Sequence, residues 1–210
     1  MAEQEYRGKH IVVRFDGQKC IHSRHCVLLR PEVFQANVPG DWIKPDNAST
    51  EAIVNVALAC PSGAITWERL DGGAQEGPPP VNLVRVRENG PLAVHAEIEF
   101  TTGEKATRAT LCRCGASKNK PFCDGSHVEA GFSASGEPPT QESTPLASRA
   151  GSLRVWPKPD GPLEVTGNVE IVSGTGRTVN RLEKTWLCRC GQSQKKPYCD
   201  GTHKRNGFKA

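Results

Sequence analysis

Two stretches of this sequence repeat one arrangement of soft metal ligands. Leu111–His127 reads LCRCGASKNKPFCDGSH, and Leu187–His203 reads LCRCGQSQKKPYCDGTH. Each spaces three cysteines and a histidine as Cys-x-Cys-x8-Cys-x3-His. The first copy supplies Cys112, Cys114, Cys123 and His127, and the second Cys188, Cys190, Cys199 and His203. Four soft or borderline donors so close together make a metal site, and two matched copies make coincidence a poor explanation. A Cys3His set also serves structural zinc. Cys-x-Cys is tighter than the Cys-x2-Cys knuckle usual for zinc, which weighs against that metal. A further group, Cys20-x5-Cys26 with a distant Cys60-Pro61, stands upstream of both copies.

These ligands need elements to hold them, and the composition limits what those elements are. The chain has 210 residues, 36% hydrophobic and 6% aromatic, so it has no large apolar core to spend. Small modules with weak cores fold with help from metals or disulfides. Nine cysteines suit metal better, because an odd number fits no simple disulfide framework. Met1 to Tyr6 is polar and acidic with no apolar run behind it, so no secretory signal is expected. No stretch of about 18 apolar residues predicts a membrane span. Metal-bound thiolates in a reducing cytoplasm are the consistent expectation. A net charge of +4, with scattered Lys and Arg, does not suggest nucleic acid binding.

Read in order, residues 6–70 predict one small α+β unit. Ile11–Phe15 and Ala64–Trp67 read as strands, with Trp42-Ile43 a short one. A helix is expected over Val27–Phe34, and Ser49 is placed to cap another over Thr50–Ala59. Residues 71–80, ending in three prolines, read as a linker. Two β-rich modules follow at 81–133 and 151–210, joined by a mobile connection over 134–150. In them, strands over 82–86, 92–98 and 152–156 flank the matching turns Gly90-Pro91-Leu92 and Gly161-Pro162-Leu163. After each ligand loop a short helix is expected to start near Asp124 or Asp200. That helix would bring the histidine one turn past the third cysteine. Gly131-Phe132 and Gly207-Phe208 would end it, the glycine as stop and the ring as plug.

Cys123-Asp124-Gly125-Ser126-His127 and Cys199-Asp200-Gly201-Thr202-His203 resemble the CDGSH iron–sulfur (NEET) family across 81–210. The resemblance implies one [2Fe–2S] cluster on Cys112, Cys114, Cys123 and His127, and another on Cys188, Cys190, Cys199 and His203. It also implies a pseudo-dimer within one chain, its halves exchanging strands in a β-cap above cluster loops with short helices. Two thiolates one residue apart then share one iron, and the third cysteine and the histidine hold the other. Arg113, Lys118, Lys120, Arg189, Lys195 and Lys196 would either tune the potential or simply be solvated. Gln194 stands where the first copy has Lys118, so the two potentials are expected to differ.

The upstream group resembles a single-cluster ferredoxin of the divergent mono-cluster kind, on His22-Ser23-Arg24-His25-Cys26-Val27 and Cys60-Pro61-Ser62-Gly63-Ala64-Ile65. That resemblance implies a cubane-type cluster on Cys20, Cys26 and Cys60. Ser23 stands where the ferredoxin run has its middle cysteine. Three thiolates suit [3Fe–4S], whereas [4Fe–4S] needs a fourth ligand from Ser23, His22, His25 or water.

The expected fold class is thus α+β, a small ferredoxin-like domain ahead of two β-rich CDGSH modules. No nucleotide loop, nucleophile motif or substrate pocket signature points to an enzyme. The leading expectation is electron transfer to a redox partner protein. The alternative is a cluster carrier or redox and pH sensor that hands a cluster to an apo-acceptor. Neither reading needs nucleic acid or membrane, and the chain is compatible with a monomer.

Overall fold

A run of apolar β-formers, Ile11-Val12-Val13, is buried on both sides and fixes the middle of the first sheet. In this computed structural model, which describes residues 3–210, β1 is Gln4–Arg7, β2 is Ile11–Phe15 and β3 is Ile65–Arg69. They form an antiparallel sheet in the order β1-β2-β3, with Val13 opposite Trp67 and Phe15 opposite Ile65. Helix α1, His25–Leu29, is shorter than the helix predicted over Val27–Phe34. Pro31 explains the loss, because it drives Arg30 before it out of the helical region, to φ −144°. Trp42-Ile43 yields a single bridge, Ile43 to Phe34. Helix α2 spans Thr50–Ala59, and Ser49 Oγ accepts the Ala52 amide at 3.3 Å. Ile53, Val56 and Ala57 from α2 pack with Val13, Phe34, Ile43, Ile65 and Trp67. Together with the preceding residues, this makes the unit that ends at Gly77.

The second unit, Pro78–Ala210, is a six-stranded sheet. Its strands are β4 (Leu83–Val86), β5 (Leu92–Phe100), β6 (Lys105–Leu111), β7 (Ser152–Pro157), β8 (Leu163–Val172) and β9 (Thr178–Leu187). Period-two alternation sends Leu92, Val94, Ala96, Ile98 and Phe100 of β5 into one core. Leu153, Val155, Leu163, Val165 and Ile171 of the second repeat join the same core.

The pairing is interleaved. β4 runs antiparallel to β5 through Leu83–Val86 and parallel to β8 through Glu170–Val172. β7 does the converse, parallel to β5 at Glu97–Phe100 and antiparallel to β8 at Leu163–Thr166. β4 and β7 therefore share the middle column of the sheet, one from each repeat, between β5 and β8. β6 and β9 pair along the outer edges of β5 and β8.

This architecture corrects the α+β expectation. The molecule is mostly β, with a barrel-like sheet and only two α-helices among the described residues. Both helices lie in the first unit, and neither ligand loop carries an α-helix. The second loop has a single 3-10 turn, Thr202–Lys204, and the first has turns alone. Gly125 and Gly201 account for this. They sit at φ +88° and +84°, a left-handed backbone that stops a right-handed helix from starting at the preceding aspartate.

The connection over 134–150 is stitched to both repeats. Ala134 exchanges bonds with Asn89, Gln141 donates its amide to Val179 O, and Asn82 donates its amide to Arg149 O. No helix among the described residues is long and apolar enough to cross a membrane.

Candidate iron–sulfur sites

Each ligand loop in the second unit is a clasp at the end of an edge strand. The chain leaves β6 at Leu111 and returns beside it through a bridge from Leu111 to Phe122. The Cys112 amide donates to Pro121 O and the Cys123 amide to Thr110 O, both at 2.8 Å. β9 repeats the pattern: Leu187 bridges Tyr198, Cys188 donates to Pro197 O, and Cys199 donates to Trp186 O. The peptides Lys120–Pro121 and Lys196–Pro197 are cis in both loops.

Two side chains tie each loop internally. Ser117 Oγ donates to Phe122 O at 2.7 Å, and Ser193 Oγ does the same to Tyr198 O. Asp124 accepts the Lys118 amide at 2.8 Å and the Ser126 amide at 3.0 Å. Asp200 accepts the Gln194 and Thr202 amides at the same distances. Burial opposes ionisation of Asp124, but the bonds from Ser126 and Lys118 prevail and hold its carboxyl at about 2. The serines escaped sequence reasoning, although Cys-Arg-Cys-Gly-x-Ser in both copies was their signal.

The ligands meet in pairs. Cys112 Sγ and Cys114 Sγ are 3.8 Å apart, as are Cys188 Sγ and Cys190 Sγ. Cys123 Sγ lies 3.5 Å from His127 Nδ1, and Cys199 Sγ 3.4 Å from His203 Nδ1. A tetrahedral metal with metal–sulfur bonds of about 2.3 Å separates two sulfurs by about 3.8 Å. Each pair is therefore set for one metal. No three His, Cys, Asp or Glu side chains among the described residues gather round one metal position. Two such pairs per loop match the donor set of a two-iron cluster, one pair per iron.

Burial pushes the Cys123 thiol up to about 11 and raises Cys188 as well, so binding a metal there takes up the cost of holding them as thiolates. Burial also lowers the His127 pKa, with Asp124 opposing and Arg113 assisting. A neutral ring is the form that ligates. Backbone amides reach the sulfurs as well: Ala116 to Cys114, Gly125 to Cys123 and Gly201 to Cys199, at 3.4 to 3.5 Å.

The flanking arginines are not solvated. Arg113 is buried and donates to the carbonyls of Gly90, Arg87, Ala134 and Ser135, with Phe132 5.3 Å away. Burial in that cage lowers its pKa to about 10. Arg189 is buried too, donates to Gly161 and Lys158 carbonyls, and faces Phe208 at 5.4 Å. Lys120 and Lys196 fold back onto Ser117 O and Ser193 O. Lys118 and Lys195 join these networks through their backbones, the Lys118 amide donating to Asp124, the Lys195 amide to Ser193 Oγ, and the Lys195 carbonyl accepting from Tyr198.

In the first unit Cys20, Cys26 and Cys60 line one cavity of about 450 Å³, beneath Phe15, Trp42 and Ile65. α2 delivers Cys60 at its C-terminal cap, and α1 carries Cys26. Burial raises the Cys20 and Cys26 thiols, and the His22 amide offsets part of that at Cys20. His22 and Ser23 stand on the cavity wall. His25 does not: its Nδ1 donates to Ala59 O at 3.1 Å. Three thiols around a cavity rather than around a point suit a cluster bound corner by corner.

Known families match these regions. The model described as iron-binding zinc finger, CDGSH type, matches residues 89–128 and 160–204, and the divergent 4Fe-4S mono-cluster model matches 6–69. The chain is 36% identical to uncharacterized protein YjdI of Escherichia coli strain K12 over 62 residues, 30% of this chain and 80% of that one. It is 41% identical to CDGSH iron-sulfur domain-containing protein 1 of Rattus norvegicus over 49 residues, 23% of this chain and 42% of that one. No solved structure matches.

Proposed function

Because this chain belongs to the CDGSH iron–sulfur family, with a divergent 4Fe-4S mono-cluster domain ahead of its two motifs, we propose that it is an electron-transfer protein holding three clusters. Cys112, Cys114, Cys123 and His127 hold one [2Fe–2S] cluster, and Cys188, Cys190, Cys199 and His203 the other. Cys20, Cys26 and Cys60 hold a cubane-type cluster, either [3Fe–4S] or a [4Fe–4S] completed by His22, Ser23 or water. Clusters of these kinds exchange single electrons. The protein's part is to bury the thiolates, aim amides at the sulfurs and leave the histidines within reach of solvent. The chain works in the cytoplasm with a redox partner protein and catalyses no reaction of its own.

The observation that carries this reading is the pairing of ligands, 3.8 Å between two sulfurs and 3.4 to 3.5 Å between the third sulfur and the histidine nitrogen. The test is iron and sulfide counted per chain, with a visible spectrum, on anaerobically purified protein. About seven or eight irons per chain accord with two [2Fe–2S] clusters and one [3Fe–4S] or [4Fe–4S]. About four would leave the first unit empty. A colourless, zinc-rich protein that cannot be reconstituted with iron and sulfide would refute the proposal.

One feature favours a second reading, a cluster carrier or sensor. His127 and His203 are only half-buried, so protons can reach them and compete with the metal. Incubation with an apo-ferredoxin separates the two readings: a carrier passes its colour on, whereas an electron-transfer protein keeps it.

A further inference from the structure

The two ligand loops are near copies, yet their charge differs. The stretch from Cys188 to Ala210 contains Arg189, Lys195, Lys196, Lys204, Arg205 and Lys209 against Asp200 alone. The matching stretch, Cys112 to Ala134, has Arg113, Lys118 and Lys120 against Asp124 and Glu129. The divergence is sharpest directly after the histidine ligand, where the first copy has Val128-Glu129 and the second Lys204-Arg205.

Several of the second copy's charges are already committed. Arg189 lies buried among carbonyls, and Lys196 donates to Ser193 O at 2.6 Å. Lys209 pairs with Asp160 at 2.8 Å. Asp200, the one local carboxylate, is taken up by the Gln194 and Thr202 amides. Lys195, Lys204 and Arg205 remain: all three are exposed, and no ion pair engages them among the described residues. Lys204 ends the 3-10 turn that carries His203, with Arg205 its C-cap.

We infer that this basic rim around His203 is a docking surface for an acidic redox protein, so that electrons cross to and from the CDGSH unit at its second cluster rather than its first. The inference rests on the electron-transfer reading. Charge complementarity selects the partner: Lys204 and Arg205, directly after His203, with Lys195 on the same loop, attract a face of carboxylates. Such a contact steers encounter and speeds association more than it tightens binding. That suits a transient redox complex with a small interface. Three cations fall short of the roughly 6–10 phosphate contacts typical of nucleic acid binding. An anionic bilayer would be better served by an apolar anchor, but Phe208 is half-buried against Arg189.

The test uses the cluster-loaded full chain and a reduced, acidic [2Fe–2S] ferredoxin as probe, with dithionite as the small-molecule donor. Stopped-flow reduction by the ferredoxin should slow on the order of tenfold from low to high salt. The K204E/R205E variant should be on the order of tenfold slower at low salt, with a flattened salt dependence. K195E should act in the same direction by a smaller factor, which covers the case where the double variant loses its cluster. V128K/E129R should speed reduction by building a second rim around His127. Reduction by dithionite, a small anionic donor, should vary far less among the variants than reduction by the ferredoxin.

Reduction by ferredoxin as fast in K204E/R205E and K195E as in the native protein overturns the docking surface while leaving electron transfer intact. Absence of both binding and reduction with the native protein overturns it too, as does salt-sensitive binding to phosphatidylserine vesicles in place of the ferredoxin. Salt-sensitive ferredoxin binding that is lost in K204E/R205E, without any reduction, upholds the surface and sinks the electron-transfer reading.

Discussion

Gly115 lies against Cys190 of the other repeat so closely that a Cβ on it would stand 2.7 Å from the Cys190 carbonyl oxygen. Gly191 meets Cys114 O in the same way, closer still. Both glycines have left-handed backbones, at φ +84° and +80°. The two ligand loops therefore sit back to back, with Lys120 of one 5.9 Å from the Phe208 ring of the other.

Neither loop can then be altered alone. G115A or G191A should lower the iron content of both repeats, because a forced shift moves Cys190 or Cys114. G125A is the control, since its φ is also positive but a Cβ there meets nothing within 4 Å. That variant carries only the strain of its backbone, on the order of 1–3 kcal/mol. Iron per chain and thermal melts check this. Equal losses in G115A and G125A would contradict the back-to-back contact.

Asp124 and Asp200 tether each loop through two charge-assisted bonds. Such bonds contribute about 1.5–3 kcal/mol. D124A should speed colour loss from the first copy on the order of tenfold or more, and D200A should do so for the second. The decay of visible absorbance reads both. An unchanged decay would mean that the ligands hold the loops unaided.

Acidity should act on the histidine ligands. A proton on the ring competes with the metal, and burial lowers the His127 pKa, so colour loss from the first copy should accelerate only once the pH falls below the ordinary histidine range. H127C and H203C should each slow the loss. The potential should also fall as pH rises, by up to about 59 mV per unit if one proton accompanies each electron. Titration between pH 6 and 9 reads the slope, and a flat line refutes proton coupling.

Glu164 offers a second pH effect, away from the clusters. Lys158 at 2.9 Å and Lys184 at 3.0 Å hold its carboxyl at about 2, below the ordinary 4.5. A depressed carboxyl stabilises the fold fully above its unfolded value and ceases to do so as pH falls through the folded one. The urea stability difference between the native protein and E164Q should be constant above about pH 5 and vanish towards pH 2. A difference independent of pH would show that the two lysines do not engage it.

The repeat of Cys112, Cys114, Cys123 and His127 at Cys188, Cys190, Cys199 and His203 was legible in the sequence as a spacing, and the structure brings each set together as two close pairs. The strands over Ile11–Phe15 and Leu92–Ile98, and the capped helix over Thr50–Ala59, were legible from local alternation and capping, although the second strand runs on to Phe100. The balance of the fold was not. The predicted helices after Asp124 and Asp200 were read from polar caps, but the left-handed Gly125 and Gly201 take those residues into turns. Val27–Phe34 had helical character, and Pro31 cut it short. The parallel pairs β4–β8 and β5–β7 join residues 83–86 to 170–172 and 97–100 to 152–155, and no local pattern encodes such partners. Arg113 was read as solvated or tuning, while its cage of carbonyls depends on Ala134 and Ser135 crossing above it.

The shared middle column of the sheet has a consequence for how the chain is made. During synthesis β5 emerges with β4 and β6, but its edge beyond Ala96 waits for β7, about fifty residues later. At 5–20 residues per second, a ribosome leaves that edge bare for roughly 3–10 s. Glu97 and Glu99 occupy the waiting stretch, and charged side chains on an unpaired edge discourage its capture by another chain. The first repeat is thus born incomplete, and it carries its own protection against aggregation until the second arrives.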